Sequence, residues 1–140
     1  MKDEVLIRYF TDVASAVDTP CMLYNAPQFC GGITLSLNVI KECAKHPNIV
    51  GIKDSSSGNV EKIALSVPKD FQVLSGSANT FLSCLLNGGI GGVISLANSV
   101  PDVVCRLYDY FVKGELAKAA ALNREVIKAN MGVSGKYGVA

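Results

Sequence analysis

The sequence predicts an α/β fold in which parallel strands alternate with helices. Short apolar runs at 21–24, 49–53, 71–75 and 92–96 are typical of strands, and a helical pattern lies between each successive pair. The runs are continuously apolar rather than alternating, as in strands whose two faces are both covered. Such an array is either doubly wound or closed into a barrel, and both arrangements place their chemistry at the carboxyl ends of the strands.

The first third of the chain supplies a helix, a strand and the start of a second helix. Residues 3–17 begin with acids and carry apolar residues at helical spacing, which are Val5, Leu6, Tyr9, Phe10, Val13 and Val17. The run 21–24 ends at the turn residues 25–27, so it is interpreted as a strand with a turn behind it. Either Thr34 or Ser36 is suited to cap the helix that follows.

The same unit recurs through the rest of the chain. Helices are predicted at 59–66, 79–87, 101–113 and about 115–129. The glycine-rich segment 88–92 lies before a strand rather than between a strand and a helix, and its spacing is not that of a dinucleotide-binding loop. It is interpreted as a tight turn from helix to strand.

The composition is that of one globular domain and excludes several function classes. Of 140 residues, 49% are hydrophobic and 18% are charged, which supplies a sizeable core. A net charge of +1 without a basic stripe argues against a nucleic-acid or membrane partner. Five cysteines without CxxC spacing and a single histidine argue against a zinc site. The scattered cysteines, and the lack of a membrane-span or signal-type run, predict a cytoplasmic protein.

Lys53 closes the apolar run 49–53, at the predicted carboxyl end of its strand. An amine attacks a carbonyl only when it is unprotonated, and burial disfavours the ammonium form. The iminium that forms is an electron sink, so a C–C bond to the adjacent carbon breaks to an enamine. Tyr24, at the end of the preceding strand, is placed to relay protons. On spacing alone the alternatives are a solvated or ion-paired lysine and a tyrosine at the edge of the core.

Four segments in order along the chain carry a resemblance to a known family. They are LYNAP at 23–27, HPNIVGIKDSSSGN at 46–59, FQVLSGSANTFL at 71–82 and GGIGGVISLANSVP at 88–101. Together they resemble the dihydrodipicolinate synthase / N-acetylneuraminate lyase family of Schiff-base (class I) pyruvate aldolases and lyases. Together with the closing VSGKYGV at 133–139, they are most similar to the branch of 4-hydroxy-2-oxoglutarate aldolases and 2-keto-3-deoxy-sugar-acid aldolases.

The resemblance implies a role for each of five residues. Lys53 matches the Schiff-base lysine, and Tyr24 matches the proton-relay tyrosine. The backbone of Gly76 is expected beside the bound pyruvate moiety, and the main chain of Ile94, in the last strand, is expected to face the iminium. Ser55 is expected near the outer part of the substrate. The family implies no cofactor and no metal, a small 2-oxo acid as the partner, and a homo-oligomer in the full-length form.

One departure from the family bears on the substrate. In dihydrodipicolinate synthases an arginine follows the YN-P motif and binds the distal carboxylate of the substrate, whereas this sequence has Phe29 at the matching position. A phenyl ring cannot make the bidentate pair that an arginine makes with a carboxylate. This favours an aldolase, with 4-hydroxy-tetrahydrodipicolinate synthase as the alternative. Asp54 and Asn98 are interpreted as structural residues that pair with backbone or loops.

A second departure concerns the extent of the chain. The family barrel has eight strands and a GGxTGE-like segment on an early strand, and this sequence has no such segment. Residues 1–140 therefore resemble a single partial domain, the C-terminal half of a TIM (β/α)8 barrel, with strands five to eight and their helices. Such a fragment is expected to be inactive alone. The alternative is a catalytically dead remnant that acts as an assembly partner. The sequence does not decide whether an organelle signal lies upstream of Met1.

Overall fold

The computed structural model describes residues 1–56 and 58–138, which form a parallel sheet with helices packed on one of its faces. The four strands are adjacent in chain order, and all three pairings are parallel. They are β1 Cys21–Asn25, β2 Ile49–Asp54, β3 Gln72–Ser75 and β4 Gly91–Gly92. The predicted α/β fold with parallel strands is confirmed. Ser57 and Val139, which belong to two of the resembling segments, lie outside the described residues.

The described residues contain six α-helices, one before the first strand and the others between or after the strands. They are α1 Asp3–Ser15, α2 Leu37–Cys43, α3 Val60–Ala64, α4 Phe81–Leu86, α5 Pro101–Val112 and α6 Leu116–Tyr137. Three strands are each followed by a short 3-10 segment, at Pro27–Phe29, Ala78–Thr80 and Ser95–Asn98. Among the residues described, no helix has both the length and the apolarity of a membrane span.

The start of α2 is fixed by two capping contacts. Of the two candidate caps it is Ser36 that acts, because its hydroxyl accepts a hydrogen bond from the Val39 N–H at 3.1 Å. The same hydroxyl donates to Oδ2 of Asp3 at 2.7 Å, and the Asn38 side chain donates to that oxygen at 3.1 Å. These hydrogen bonds lower the pKa of Asp3. The N-terminus of α1 is thereby joined to the N-terminus of α2.

The two faces of the sheet differ in what they carry. On the covered face, Leu23, Ile52 and Val73 are in register across β1, β2 and β3 and are buried beneath the helices. On the open face Tyr24, Lys53 and Leu74 are in register across the same strands, and Met22 is paired with Gly51. These four side chains, of Met22, Tyr24, Lys53 and Leu74, are partly or largely exposed. Because side chains alternate along a strand, each residue of one face is followed by a residue of the other.

Two apolar clusters fill the space behind the sheet. The first lies between β1–β3 and helices α1–α3, and its largest fully buried members are Val39, Ile40, Ile52, Val60, Ile63 and Val73. The second lies among α4, α5, α6 and the chain after β4, and includes Phe81, Leu85, Ile94, Leu107 and Val126. At about 25 cal/mol per Å² of buried apolar surface, these clusters supply the main stabilisation of the fold.

The fourth strand is shorter and earlier than the sequence predicts. Residues 92–96 were the expected strand, whereas only Gly91 and Gly92 pair, with Leu74 and Ser75 of β3. A Cβ at position 92 would lie 2.9 Å from the Phe81 ring and 3.0 Å from the Ser75 carbonyl oxygen. β3 and β4 approach this closely because residue 92 is a glycine. The chain then enters the 3-10 segment Ser95–Asn98 instead of continuing the strand.

The outer helices differ from prediction in their buried residues and length. In α1, Leu6 and Ala14 are buried, whereas Val5, Tyr9 and Val13 of the predicted inward face are exposed. Helix α6 continues eight residues beyond the predicted end near 129, to Tyr137. Its added turns pack on the loops after β3 and β4, since Asn130 donates to Oδ1 of Asn79 at 3.0 Å and the Ser134 and Ser95 hydroxyls are 3.3 Å apart.

Candidate active site

Lys53 and Tyr24 lie side by side on the open face, near the carboxyl ends of β2 and β1. The two residues are partners in the register of these strands, and the Lys53 amine lies 4.7 Å from the centroid of the Tyr24 ring. This is cation–π distance. Tyr24 is 42% exposed and Lys53 is half-buried, so both side chains are accessible from the open face. The sequence left open whether Lys53 is buried or solvated, and in the structure the residue is partly buried.

Ser55 and Gly76 follow β2 and β3 directly, and each makes one further backbone hydrogen bond at the carboxyl end of the sheet. The Ser55 N–H donates to the Asn25 carbonyl at 2.8 Å, and the Gly76 N–H donates to the Asp54 carbonyl at 2.7 Å. A Cβ at position 76 would collide with the Ser55 hydroxyl oxygen and lie 2.7 Å from the Asp54 carbonyl oxygen. Glycine is therefore required where β2 and β3 end, and Ser55 and Gly76 are in direct contact.

Ile94 does not lie in the last strand, so that part of the prediction is wrong. It follows β4 in extended conformation, with φ −120° and ψ 134°, and its side chain is buried in the second apolar cluster. Its carbonyl accepts a hydrogen bond from the Ala97 N–H at 3.1 Å. The expected contact of its main chain with a substrate stays a prediction. Asn98, interpreted as structural, is exposed at the end of the same 3-10 segment.

Phe29 lies in the segment that follows β1, next to this edge of the sheet. The preceding residue, Gln28, is within 3.5 Å of the Ser55 carbonyl oxygen through its amide nitrogen. Phe29 itself is 57% exposed. Position 29, which carries a cation in the synthases that the sequence resembles, thus carries an exposed phenyl ring one residue after the residue that contacts Ser55.

Directly beneath Lys53 and Tyr24, on the covered face, is a buried polar network that the sequence analysis missed. Nδ2 of Asn25 donates to Oδ1 of Asp54 at 2.6 Å, and the Ser56 hydroxyl donates to the same oxygen at 2.8 Å. Asn25 and Asp54 are each 1% exposed. Burial raises the pKa of Asp54, against the hydrogen bonds from Ser56 and Asn25, which lower it.

The sequence did contain a signal for this network. Asn25 was interpreted as a turn residue, and Asp54 as a residue that pairs with backbone or loops. Each occupies the position immediately after a candidate catalytic residue, Tyr24 or Lys53, in adjacent parallel strands. Period-two alternation then places both on the opposite face, side by side. A pair of polar residues at the same offset in two strands is the pattern to look for.

The fold and this edge define the class of protein: a parallel α/β protein whose polar side chains gather at the carboxyl ends of its strands. The chain belongs to the dihydrodipicolinate synthetase family, whose profile matches residues 1–137. This is a family of lyases and aldolases.

Curated relatives agree with the family and show how much of it the chain spans. The chain is 42% identical over 125 residues to the 4-hydroxy-tetrahydrodipicolinate synthase of Methanococcoides burtonii, covering 86% of this chain and 42% of that one. It is 34% identical over 135 residues to a DapA-like lyase of Pyrococcus horikoshii, covering 91% and 46% respectively. The chain therefore spans less than half the length of these relatives.

Solved structures are similar over the same extent. The Escherichia coli K12 prophage protein YagE, solved in complex with pyruvate, has a TM-score of 0.84 and 31% identity, covering 94% of this chain and 46% of that one. The 4-hydroxy-tetrahydrodipicolinate synthase of Methylacidiphilum fumariolicum SolV has a TM-score of 0.80 and 30% identity, covering 89% of this chain and 42% of that one. The backbone of this chain thus matches about half of each structure.

Proposed function

We propose that this chain carries the Schiff-base half of a class I aldolase that cleaves a 4-hydroxy-2-oxo acid to pyruvate and an aldehyde. The observation that carries the proposal is the contact between the Lys53 amine and the Tyr24 ring, 4.7 Å apart at the carboxyl ends of adjacent parallel strands. Membership of a lyase family, and a similar structure solved with pyruvate, support it.

The chemistry assigns one step to each side chain. The Lys53 nitrogen attacks the C2 carbonyl of the substrate, and the carbinolamine loses water to become an iminium. The C3–C4 bond then breaks, with its electron pair passing into the iminium to form an enamine, while the C4 hydroxyl loses its proton and leaves as the aldehyde. Tyr24 relays protons for loss of water, for departure of the aldehyde and for protonation of C3. Hydrolysis of the new iminium releases pyruvate and restores the amine.

The substrate class follows from the segment after β1. Phe29 offers no cation to a distal carboxylate, which favours 4-hydroxy-2-oxoglutarate or a 2-keto-3-deoxy sugar acid over the aspartate semialdehyde adduct of the synthases. Gly76 and Ser55 are in contact beside Lys53. Gly76 is proposed to line the pyruvate end of the substrate and Ser55 its outer part, with the main chain of Ile94 facing the iminium. Several relatives are named 4-hydroxy-tetrahydrodipicolinate synthase, so that activity is the second candidate.

The same proposal makes the chain half of a (β/α)8 barrel. Within the described residues β1 pairs only with β2 and β4 only with β3, so both sheet edges are unpaired, and the open face carries Met22 and Tyr24 exposed. Four strands cannot close a barrel of eight. Four further strands would pair with β1 and β4 and cover the open face, and the whole enzyme is expected to be a cytoplasmic homo-oligomer.

Borohydride trapping tests the assignment. Pyruvate is incubated with the chain, alone and co-expressed with the N-terminal half of the Methanococcoides burtonii synthase, and the reduced adduct is located by peptide mass spectrometry. We expect an adduct on Lys53 that is absent in Lys53→Ala and unchanged in Lys69→Ala, an exposed control. Tyr24→Phe is expected to keep binding but to slow turnover by about 10²–10⁴.

Four results would each contradict part of the proposal. An adduct on another lysine, or an unchanged yield in Lys53→Ala, removes the Schiff-base assignment. A higher kcat/KM for condensation with aspartate semialdehyde than for cleavage of 4-hydroxy-2-oxoglutarate favours the synthase. No adduct in any assembly, with stable binding to the co-expressed half, supports the remnant that acts as an assembly partner. Substantial turnover by the isolated chain as a monomer would refute the half-barrel interpretation.

A further inference from the structure

The ends of β1 and β2 carry two pairs of side chains, one on each face of the sheet. Tyr24 is the partner of Lys53 in the register, and Asn25 is the partner of Asp54. The first pair lies on the open face and the second is buried on the covered face, one residue further along each strand. Any shift of one strand end against the other therefore changes both pairs together.

We propose that Asn25 and Asp54 are positioning residues for the Lys53–Tyr24 pair. Their side-chain hydrogen bond on the covered face holds the two strand ends in the register that places the Tyr24 ring against the Lys53 amine. The catalytic consequence rests on the proposed Schiff-base chemistry, but the positioning itself does not.

The chemistry of position 25 requires an amide. Nδ2 of Asn25 donates to Asp54 at 2.6 Å, while its Oδ1 accepts the Leu35 N–H at 2.9 Å, which anchors the long segment between β1 and α2. A carboxylate has no donor for the first bond, and an apolar side chain makes neither. Asn25 is thus the point at which β1, β2 and that segment are joined.

Asp54 is connected on its other side to the segment that leads into α3. The Ser56 hydroxyl donates to Oδ1 of Asp54 at 2.8 Å, and the Asn59 amide donates to that hydroxyl at 3.2 Å. The backbone around Lys53 is therefore held from the β1 side and from the α3 side by one carboxyl oxygen.

The second oxygen of Asp54 argues against a role in stability alone. Oδ2 is buried and has no hydrogen-bond partner within residues 1–56 and 58–138. A carboxyl group left partly unsatisfied in the interior costs stability compared with an apolar or amide side chain of the same shape. Groups of this kind are the ones that call for a functional explanation.

The test exchanges the two side chains. Asn25→Asp removes the donor and opposes two carboxyl groups. The double variant Asn25→Asp/Asp54→Asn restores a donor and an acceptor between the two positions and keeps the acceptor for the Leu35 N–H. The Ser56 hydroxyl, which donates to the same Asp54 oxygen as Asn25 in wild type, can accept from the new amide instead. Val126→Ala is the matched control, because it opens a cavity at a fully buried residue in the other apolar cluster.

Two readouts separate the positioning from the chemistry. The first needs no substrate: lysines are dimethylated with ¹³C-formaldehyde, and the ring-current displacement of the Lys53 methyl signal, assigned by its loss in Lys53→Arg, reports the Tyr24 ring beside the amine. The second is the rate of pyruvate trapping on Lys53. The displacement is measured on residues 1–140, and trapping is measured on this chain alone and co-expressed with the N-terminal half of the Methanococcoides burtonii synthase, in each case well below the melting temperature of the variant.

We expect Asn25→Asp to lose the ring-current displacement and to slow trapping by up to about 100-fold, the scale of a misplaced catalytic group. The exchanged pair is expected to recover the displacement, and Val126→Ala to keep it. If wild type traps no pyruvate but the displacement responds in this way, the proposed function fails and the positioning stands. An unchanged displacement in folded Asn25→Asp overturns the positioning. If that variant does not fold, an exchanged pair that folds without the displacement overturns it as well.

Discussion

Replacing Gly76 by alanine is expected to destabilise the chain through one close approach between β2 and β3. The added Cβ would lie 2.7 Å from the Asp54 carbonyl oxygen and 2.9 Å from Cβ of Ser55, and would collide with the Ser55 hydroxyl oxygen. Gly76 is not among the residues with positive φ, so alanine can adopt its backbone conformation. The expected loss therefore comes from steric overlap and not from backbone strain.

The magnitude follows from these contacts. Overpacking at a well-packed site costs about 1–3 kcal/mol. Moving residue 76 away from β2 also weakens its N–H hydrogen bond to the Asp54 carbonyl, a bond that contributes about 0.5–1.5 kcal/mol. We expect Gly76→Ala to lower the free energy of unfolding by about 2–4 kcal/mol, a large part of the roughly 5–15 kcal/mol of an ordinary domain.

Urea unfolding followed by circular dichroism measures this loss, once two independent probes give coincident transitions. Gly132→Ala is the matched control, because it lies inside α6 with no atom within 4 Å of the added Cβ, and it should stabilise by about 0.5–1 kcal/mol. Adding Ser55→Gly to Gly76→Ala removes two of the three overlaps and should recover part of the loss. A Gly76→Ala variant as stable as wild type would refute the reasoning.

Two further predictions concern ionisable groups in the core. Because burial raises the pKa of Asp54 above 3.8 in the folded chain, the protonated carboxyl stabilises the fold. This stabilisation is fully present below pH 3.8 and is lost as the pH rises through the raised pKa. Asp54→Asn should therefore become more stable relative to wild type across this pH window in urea titrations, and a stability difference independent of pH would contradict this. Burial raises the pKa of the Cys43 and Cys84 thiols to about 11, whereas Cys30 and Cys105 are exposed. Iodoacetamide at about pH 8 should therefore alkylate Cys30 and Cys105 but not Cys43 and Cys84 in the folded chain, and mass spectrometry that finds Cys43 and Cys84 modified before unfolding would exclude their buried placement.

The first three strands were predictable because their continuously apolar sequences are typical of buried parallel strands. The runs at 21–24, 49–53 and 71–75 are continuously apolar, and the structure places β1, β2 and β3 within one residue of each. The fourth was not, because Gly91 and Gly92 have no side chains to mark a strand, and what pairs them with β3 is a backbone approach that only glycine permits. Hydrophobic patterning cannot predict a close backbone approach that depends on the absence of a side chain.

Helix ends and buried faces depended on tertiary contacts that the sequence does not display. The sequence predicted that α6 ends near residue 129, but Asn130 and Ser134 make hydrogen bonds to the segments that follow β3 and β4, and the helix continues to Tyr137. In the same way, α1 has apolar residues around much of its circumference, and only contact with α2 and the sheet decides that Leu6 is buried and Tyr9 exposed.

The residues of the candidate site were predictable from the sequence, but the buried network of Asn25 and Asp54 beneath them was not. The reason is that successive side chains of a strand lie on opposite faces of the sheet. Lys53 and Tyr24 stand out because they are polar at the ends of apolar runs, whereas Asn25 and Asp54 resemble an ordinary turn that follows. A slip of one residue would place Lys53 on the covered face and expose Asp54, which the buried network and the apolar clusters oppose. The register of the residues on the open face is thus set by side chains on the covered face, namely Asn25, Asp54 and the apolar clusters. The contact between the amine and the phenol ring is then a property of these four strands and their helices.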